Sequence, residues 1–354
     1  VRWRDGDRQP HHRLAAHRGL GGWATGPHDD PPRAFDSAGI EFAHLGGFAL
    51  ACSSDLRWVL LAGSMQPHHS GGVVLLWGTG PDASCCVLVT GDDYYGETHT
   101  ALFSPDSSTV VAALEQDCLE AWPTAWEVNG HWAWRWCVTQ NPFDEDGEEP
   151  DELENVGLAT SGDGKLIVAT SRRDGAVDVY SMADGEPAHE FTDGAIGPVA
   201  LDHTGQRVVY AVADGVLVVR DTGSEAELLR HHSGLPEVDE LAMAPDGSAV
   251  VAVCGTTACV LTFDGDRIAA SRIVEPVCDL AGQVRVATRV TWGEHGLRVF
   301  VTGEGSAVFD GDGRVLWREP VGVRGAFSPD GRVLVTATPG GDGAVEAWFL
   351  DALR

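Results

Sequence analysis

Ala326–Asp351 reads AFSPDGRVLVTATPGGDGAVEAWFLD, and Leu158–Asp184 reads LATSGDGKLIVATSRRDGAVDVYSMAD. Both run from a short apolar strand into a polar turn built on Ser-Pro-Asp-Gly or Ser-Gly-Asp-Gly. A second apolar strand, a glycine-containing turn and a third strand ending in an aromatic follow. Seven stretches of the chain share this layout. Their polar turns fall at Asp55, Asp106, Asp163, Thr204, Asp246, His295 and Asp330, spaced 35 to 57 residues apart.

A period centred in the forties, with about four short strands per unit, is the signature of β-propeller blades. The expected fold is all-β, a single seven-bladed propeller of four-stranded antiparallel blades. We label the strands of each repeat a to d. In the fourth repeat strand a covers 199–202, strand b 207–212, strand c 216–220 and strand d 226–230. Asp214-Gly215 supplies the tight b–c turn, since glycine accepts positive φ without penalty. Apolar residues occupy both faces of strands b and c, as expected for a sheet packed between two neighbours.

The repeats resemble those of the WD-repeat β-propeller family over residues 42–350. The resemblance rests on a turn Asp ahead of the strand-c aromatic: Asp174 before Tyr180, Asp342 before Trp348, and Asp117 before Trp122. In that family this Asp ties the b–c turn to the preceding loop. Asp221, Asp264 and Asp310 stand where the Asp of the family's Trp-Asp ending would be. No literal Trp-Asp dipeptide occurs, and the Gly-His that opens the family's repeats is absent, which marks a divergent pattern.

The last repeat stops after strand c, and a bare strand c would be an aggregation-prone edge. Closure by an N-terminal strand is therefore expected. Pro32–Ser37 (PRAFDS) is the candidate, because it resembles the strand-d segment Ala188–Asp193 (AHEFTD). Residues 1–30 show no strand pattern and read as a flexible tail, leaving 31–354 as the propeller.

The chain has 354 residues, 43% of them hydrophobic, and a formal net charge of −29. Such a body repels nucleic acid and anionic lipid, both of which need positive charge to neutralise phosphate. It suits a basic partner, or simply solubility. Lys165 is the one lysine, a bias expected of a GC-rich bacterial genome. No run approaches the ~18 apolar residues of a membrane helix. The N-terminus lacks the pattern of a secretory signal, so a cytoplasmic protein, monomeric by itself, is expected.

Seven of the eight cysteines, Cys52, Cys85, Cys86, Cys118, Cys137, Cys254 and Cys259, fall in expected strands. None shows Cys-x-x-Cys or metal-ligand spacing, so buried thiols acting as small hydrophobes are expected. Cys254 and Cys259 flank one hairpin turn, where they could approach each other.

Topology sorts the loops. In a propeller the d–a and b–c loops share one face, and the a–b and c–d loops share the other. The d–a and b–c loops are rich in acid, including Asp193, Asp214, Glu304 and Asp342. The expected partner-binding residues lie there: Asp92, Asp93, Tyr94 and Tyr95 in one d–a loop, and Asp144, Asp146, Glu148 and Glu149 in the acidic insertion 141–154 (NPFDEDGEEPDELE). Arg172 and Arg173 complete the set. Tyrosine beside charge is common at binding hot spots; charge runs also commonly just solvate loops. The insertion lacks the later ligands of a calcium loop, and no metal or cofactor is expected.

Trp132, Trp134 and Trp136 alternate and so face one way, as a ligand platform or as filler between blades. Trp122 and Trp126 carry the same two readings. His68-His69 and His231-His232 read as independent surface histidines. Arg57, Lys165, Arg207, Arg298 and Arg332 open the b strands, with Asp82, Asp184, Asp221, Asp264 and Asp310 in nearby c–d turns, which suggests local pairing between the two sets.

No nucleophile elbow, phosphate loop, dinucleotide fingerprint or zinc motif occurs. The expected function is a non-catalytic interaction scaffold that binds a basic protein partner through its acidic face. The alternative is a propeller hydrolase or lyase with a metal or His-carboxylate site at the channel mouth, with Asp93, His99, Asp193 and His231 as first candidates.

Overall fold

A computed structural model describes residues 2–3, 10–15, 49–64, 72–78, 85–89, 98–114, 118–124, 136–139, 157–171, 175–265, 267–274, 288–293, 296–302, 305–320, 322–337 and 345–350. The fold is all-β, made of β-propeller blades. Six antiparallel sheets each use four strands, and a further sheet joins the two ends of the chain. No described helix is long and apolar enough to cross a membrane.

The chain divides into two compact units. The first holds the sheet Ala49–Cys52, Trp58–Ser64, Gly72–Gly78, Cys85–Val89 and the sheet Thr98–Phe103, Thr109–Leu114, Cys118–Pro123, Trp136–Thr139. It also holds the terminal sheet, in which Arg324–Phe327, Val333–Ala337 and Val345–Phe349 are followed by Pro10–Ala15 and Arg2–Trp3. The second unit contains four consecutive sheets. They are Leu158–Thr160, Leu166–Thr170, Ala176–Ser181, Pro187–Thr192; then Ala195–Leu201, Arg207–Val212, Val216–Asp221, Glu227–His232; then Glu240–Met243, Ala249–Cys254, Thr257–Asp264, Arg267–Val274; then Thr288–Gly293, Gly296–Thr302, Ser306–Asp310, Val315–Glu319.

The strand that follows Val345–Phe349 differs from the expected one. It is Pro10–Ala15, with His11 opposite Trp348 and His12 opposite Ala347. It lies inside the stretch read as a tail, and Pro32–Ser37 falls outside the described residues. A strand added to an existing edge needs only backbone donors and acceptors. PHHRLA therefore carries little of the apolar alternation that marks a strand in sequence.

The second unit shows how period-two sequence becomes a stack of blades. Successive side chains of a strand point to opposite faces. Val208, Tyr210 and Val212 pack against Val168, Val177, Val179 and Phe191 of the preceding sheet. Val209 and Ala211 turn the other way, toward Leu241, Val250, Ala252 and Leu261 of the following sheet. Val251, Val253 and Val260 then meet Val299, Val301 and Phe309. Strands b and c are buried on both faces for this reason.

The outer strand of each described sheet in this unit is far more open. The widest is Arg267–Val274, where Ile273 is 51% exposed, the only large apolar side chain so exposed among the described residues. Exposed apolar edge strands template aggregation. Ile273→Lys is expected to slow heat-induced aggregation, measured by light scattering. The unfolding free energy from chemical denaturation should change by no more than about 0.5 kcal/mol, as for most surface changes.

The a–b turns share one hydrogen-bond pattern. In the first three repeats a serine hydroxyl donates to the Asp two residues on, at 2.7 Å (Ser53–Asp55), 2.6 Å (Ser104–Asp106) and 2.8 Å (Ser161–Asp163). The same carboxylate oxygen accepts the backbone N–H of Arg57, Ser108 or Lys165. The serine oxygen accepts the N–H that opens strand b, from Trp58, Thr109 or Leu166. In the fourth repeat Asp202 stands in the serine position and accepts from Gln206 N–H and Thr204 Oγ1.

The residue after the turn Asp adopts left-handed backbone. Glycine fills that place at Gly164, Gly247 and Gly331, but Leu56 does so at φ 57°. A side chain in this region costs about 1–2 kcal/mol. Leu56→Gly is thus expected to stabilise the protein by about 1 kcal/mol in urea unfolding, and a loss of stability would contradict the turn geometry.

Cys254 and Cys259 are both free thiols. Cys259 sits opposite Ala252, whereas Cys254 sits opposite Thr257. The two are therefore offset along the hairpin. Cys52 is buried in Ala49–Cys52.

Candidate functional site

All ten expected partner-binding residues, Asp92, Asp93, Tyr94, Tyr95, Asp144, Asp146, Glu148, Glu149, Arg172 and Arg173, lie outside the described residues. So do Trp126, Trp132, Trp134, His68 and His69. Trp136 belongs to an outer strand, opposite Ala121. Trp122 is buried opposite Val110, which makes it packing rather than a platform. His99 lies within Thr98–Phe103, and His231 lies on an outer strand opposite Leu217.

At the a–b and c–d end of the sheets, several aspartates close turns. Besides Asp55, Asp106 and Asp163, Asp246 accepts from Ser248 N–H and Oγ, and Asp330 from Arg332 N–H. Asp221 accepts from Ser224 N–H and Oγ, both at 2.7 Å. Asp310 accepts from the N–H groups of Asp312 and Arg314. The hydrogen bonds from Ser224 hold the Asp221 carboxyl below the usual range, and those from Ser248 do the same for Asp246.

The expected pairing of strand-b cations with c–d acids holds in part: Arg207 lies opposite Asp221 and helps to lower its carboxyl, while two cations pair within their own turns. Lys165 pairs at 2.8 Å with Asp163 of its own turn, and Arg57 at 3.4 Å with Asp55. Arg207 donates to the carbonyls of Gly247 and Gly265 in the next repeat, and Arg298 is buried and donates to the Leu297 carbonyl. A turn Asp two residues away is simply closer than an acid at the end of the neighbouring strand.

At the d–a and b–c end, the acids of the second unit divide into committed and uncommitted groups. Asp193 is committed. It follows an outer strand, and its Oδ2 accepts from the Tyr210 hydroxyl and, at 2.6 Å, from Arg220 Nε. Arg220 Nη2 lies 2.5 Å from the same oxygen, and Nη1 donates to the Glu225 carbonyl at 2.6 Å. The guanidinium also stands 5.3 Å from the Phe191 ring centre, a favourable cation–π position. Burial pushes the Asp193 carboxyl up, but Tyr210 and Arg220 together bring it below the usual carboxylate range. Burial, and then the bond to Asp193, push the Tyr210 hydroxyl far above its ordinary value. Asp193 is thereby held in place by a tyrosine and an arginine.

The b–c turn at Ala213–Gly215 presents Asp214, exposed and at φ 61°. Its neighbour Gly215 is locked to the next d–a connection, where Ser233 donates to the Gly215 carbonyl through N–H and Oγ. Along that connection Glu237 and Asp239 are exposed. One Asp239 oxygen accepts from Gly255 N–H at 2.6 Å. Among the described residues no cation pairs with Asp214, Glu237 or Asp239.

Ligand atoms of Glu237, Asp239 and half-buried Cys254 lie within 4.8 Å of one another. Burial and the facing Asp239 push the Cys254 thiol up, so it stays protonated at neutral pH. Nearby, Glu240 of strand a accepts from Arg289 at 3.3 Å. Burial raises its carboxyl, with Arg289 opposing.

Compared with known proteins, the chain matches no family model and none of the curated proteins.

The Asp193–Tyr210–Arg220 group escapes a reading of sequence because its members are 17 and 27 residues from Asp193. The available signal was an arginine ending strand c where the other repeats carry aromatics. Glu237 and Asp239 gave a weaker one, two acids just ahead of a strand in GLPEVDEL.

Proposed function

We propose that this chain is a non-catalytic interaction scaffold that binds a basic protein segment through the acidic d–a and b–c loops. The observation that carries the reading is the different use of acid at the two ends of the sheets. At the a–b and c–d end, aspartates close turns. At the other end of the second unit, Asp214, Glu237 and Asp239 are exposed, and among the described residues no cation pairs with them, Asp239 accepting from Gly255 N–H alone. Unneutralised carboxylates grouped in loops attract a cationic partner and steer its approach.

The proposal extends to the loops that carry the highest charge density in the sequence. Asp92, Asp93, Tyr94, Tyr95, Asp144, Asp146, Glu148 and Glu149 would supply further acidic and aromatic contacts, with Arg172 and Arg173 at the rim. We further propose that the seven sheets are seven blades of one ring of the WD-repeat kind, with an N-terminal strand completing the last blade.

Neutralising the insertion tests the functional reading. Asp144→Asn, Asp146→Asn, Glu148→Gln and Glu149→Gln together should lower affinity for a fluorescent nona-arginine peptide by about tenfold in anisotropy titrations, since exposed charge pairs contribute roughly 0.2–1 kcal/mol each. Unchanged affinity would remove the insertion from the site.

A further inference from the structure

We draw no further inference here: the strongest candidate, the convergence of Glu237, Asp239 and Cys254 at the d–a and b–c end of the sheet that starts with Glu240–Met243, is an acidic cluster with a single thiol that no second observation ties to a ligand.

Discussion

Gly215→Ala should destabilise the protein by about 3 kcal/mol. Two independent costs add at this position. The backbone sits at φ 65°, where a side chain is strained by about 1 kcal/mol or more. A Cβ would also lie 2.0 Å from the Leu235 carbonyl oxygen and 3.2 Å from Ser233 Oγ. Neither neighbour is a flexible side-chain end. Leu235 contributes backbone, and Ser233 is held by its own bond to the Gly215 carbonyl at 2.7 Å. Relief requires the b–c turn and the following d–a connection to part, and overpacking of this kind costs about 1–3 kcal/mol. Urea unfolding followed by tryptophan fluorescence reads the loss. A change below about 1 kcal/mol would mean that these two segments do not approach as closely as described.

Arg220→Met should cost about 2–3 kcal/mol, because it leaves the Asp193 carboxylate largely buried without its cation. Breaking a buried pair from one side typically costs 3–5 kcal/mol. The figure is reduced here because both side chains keep 17% exposure and water offsets part of the loss. Arg220→Met combined with Asp193→Asn should recover much of the deficit, since no unpaired charge remains. Failure of the double variant to recover would place the cost in lost packing on Phe191 instead.

The same group sets a pH dependence with two limbs. Asp193 has its carboxyl lowered in the folded protein, so its contribution is complete above about pH 4 and is lost as pH falls through the folded value. Tyr210 has its hydroxyl raised, so its contribution is complete below about pH 10 and is lost as pH rises further. Tyr210→Phe should flatten the alkaline limb of the stability profile while leaving much of the acid limb in place.

The repeats and their turns were legible because both depend on neighbours in sequence. Apolar alternation places Val208 and Val209 on opposite faces. Ser-x-Asp-Gly closes a turn within a few residues. What escaped depends on distant partners or on backbone alone. Asp193 reads as one more loop acid until Tyr210 and Arg220 are brought to it. Lys165 reads as a partner for a c–d acid until its own turn Asp proves nearer. Pro10–Ala15 reads as tail because an added edge strand needs no apolar pattern. For function, the sequence showed an excess of acid, and three-dimensional structure was needed to separate acids that close a–b and c–d turns from exposed acids that no described cation pairs with.

The exposed acids at the d–a and b–c end carry the functional account, and a charge-matched comparison tests them most directly. One variant neutralises Asp214, Glu237 and Asp239; the other neutralises Glu186, Asp264 and Asp312, exposed acids near the c–d turns. Both remove three charges, so a general attraction between an acidic body and a basic probe weakens equally in each. With the nona-arginine peptide at physiological salt, the account predicts about a tenfold loss of affinity for the first variant and less than about twofold for the second. Equal losses in the two variants would contradict it.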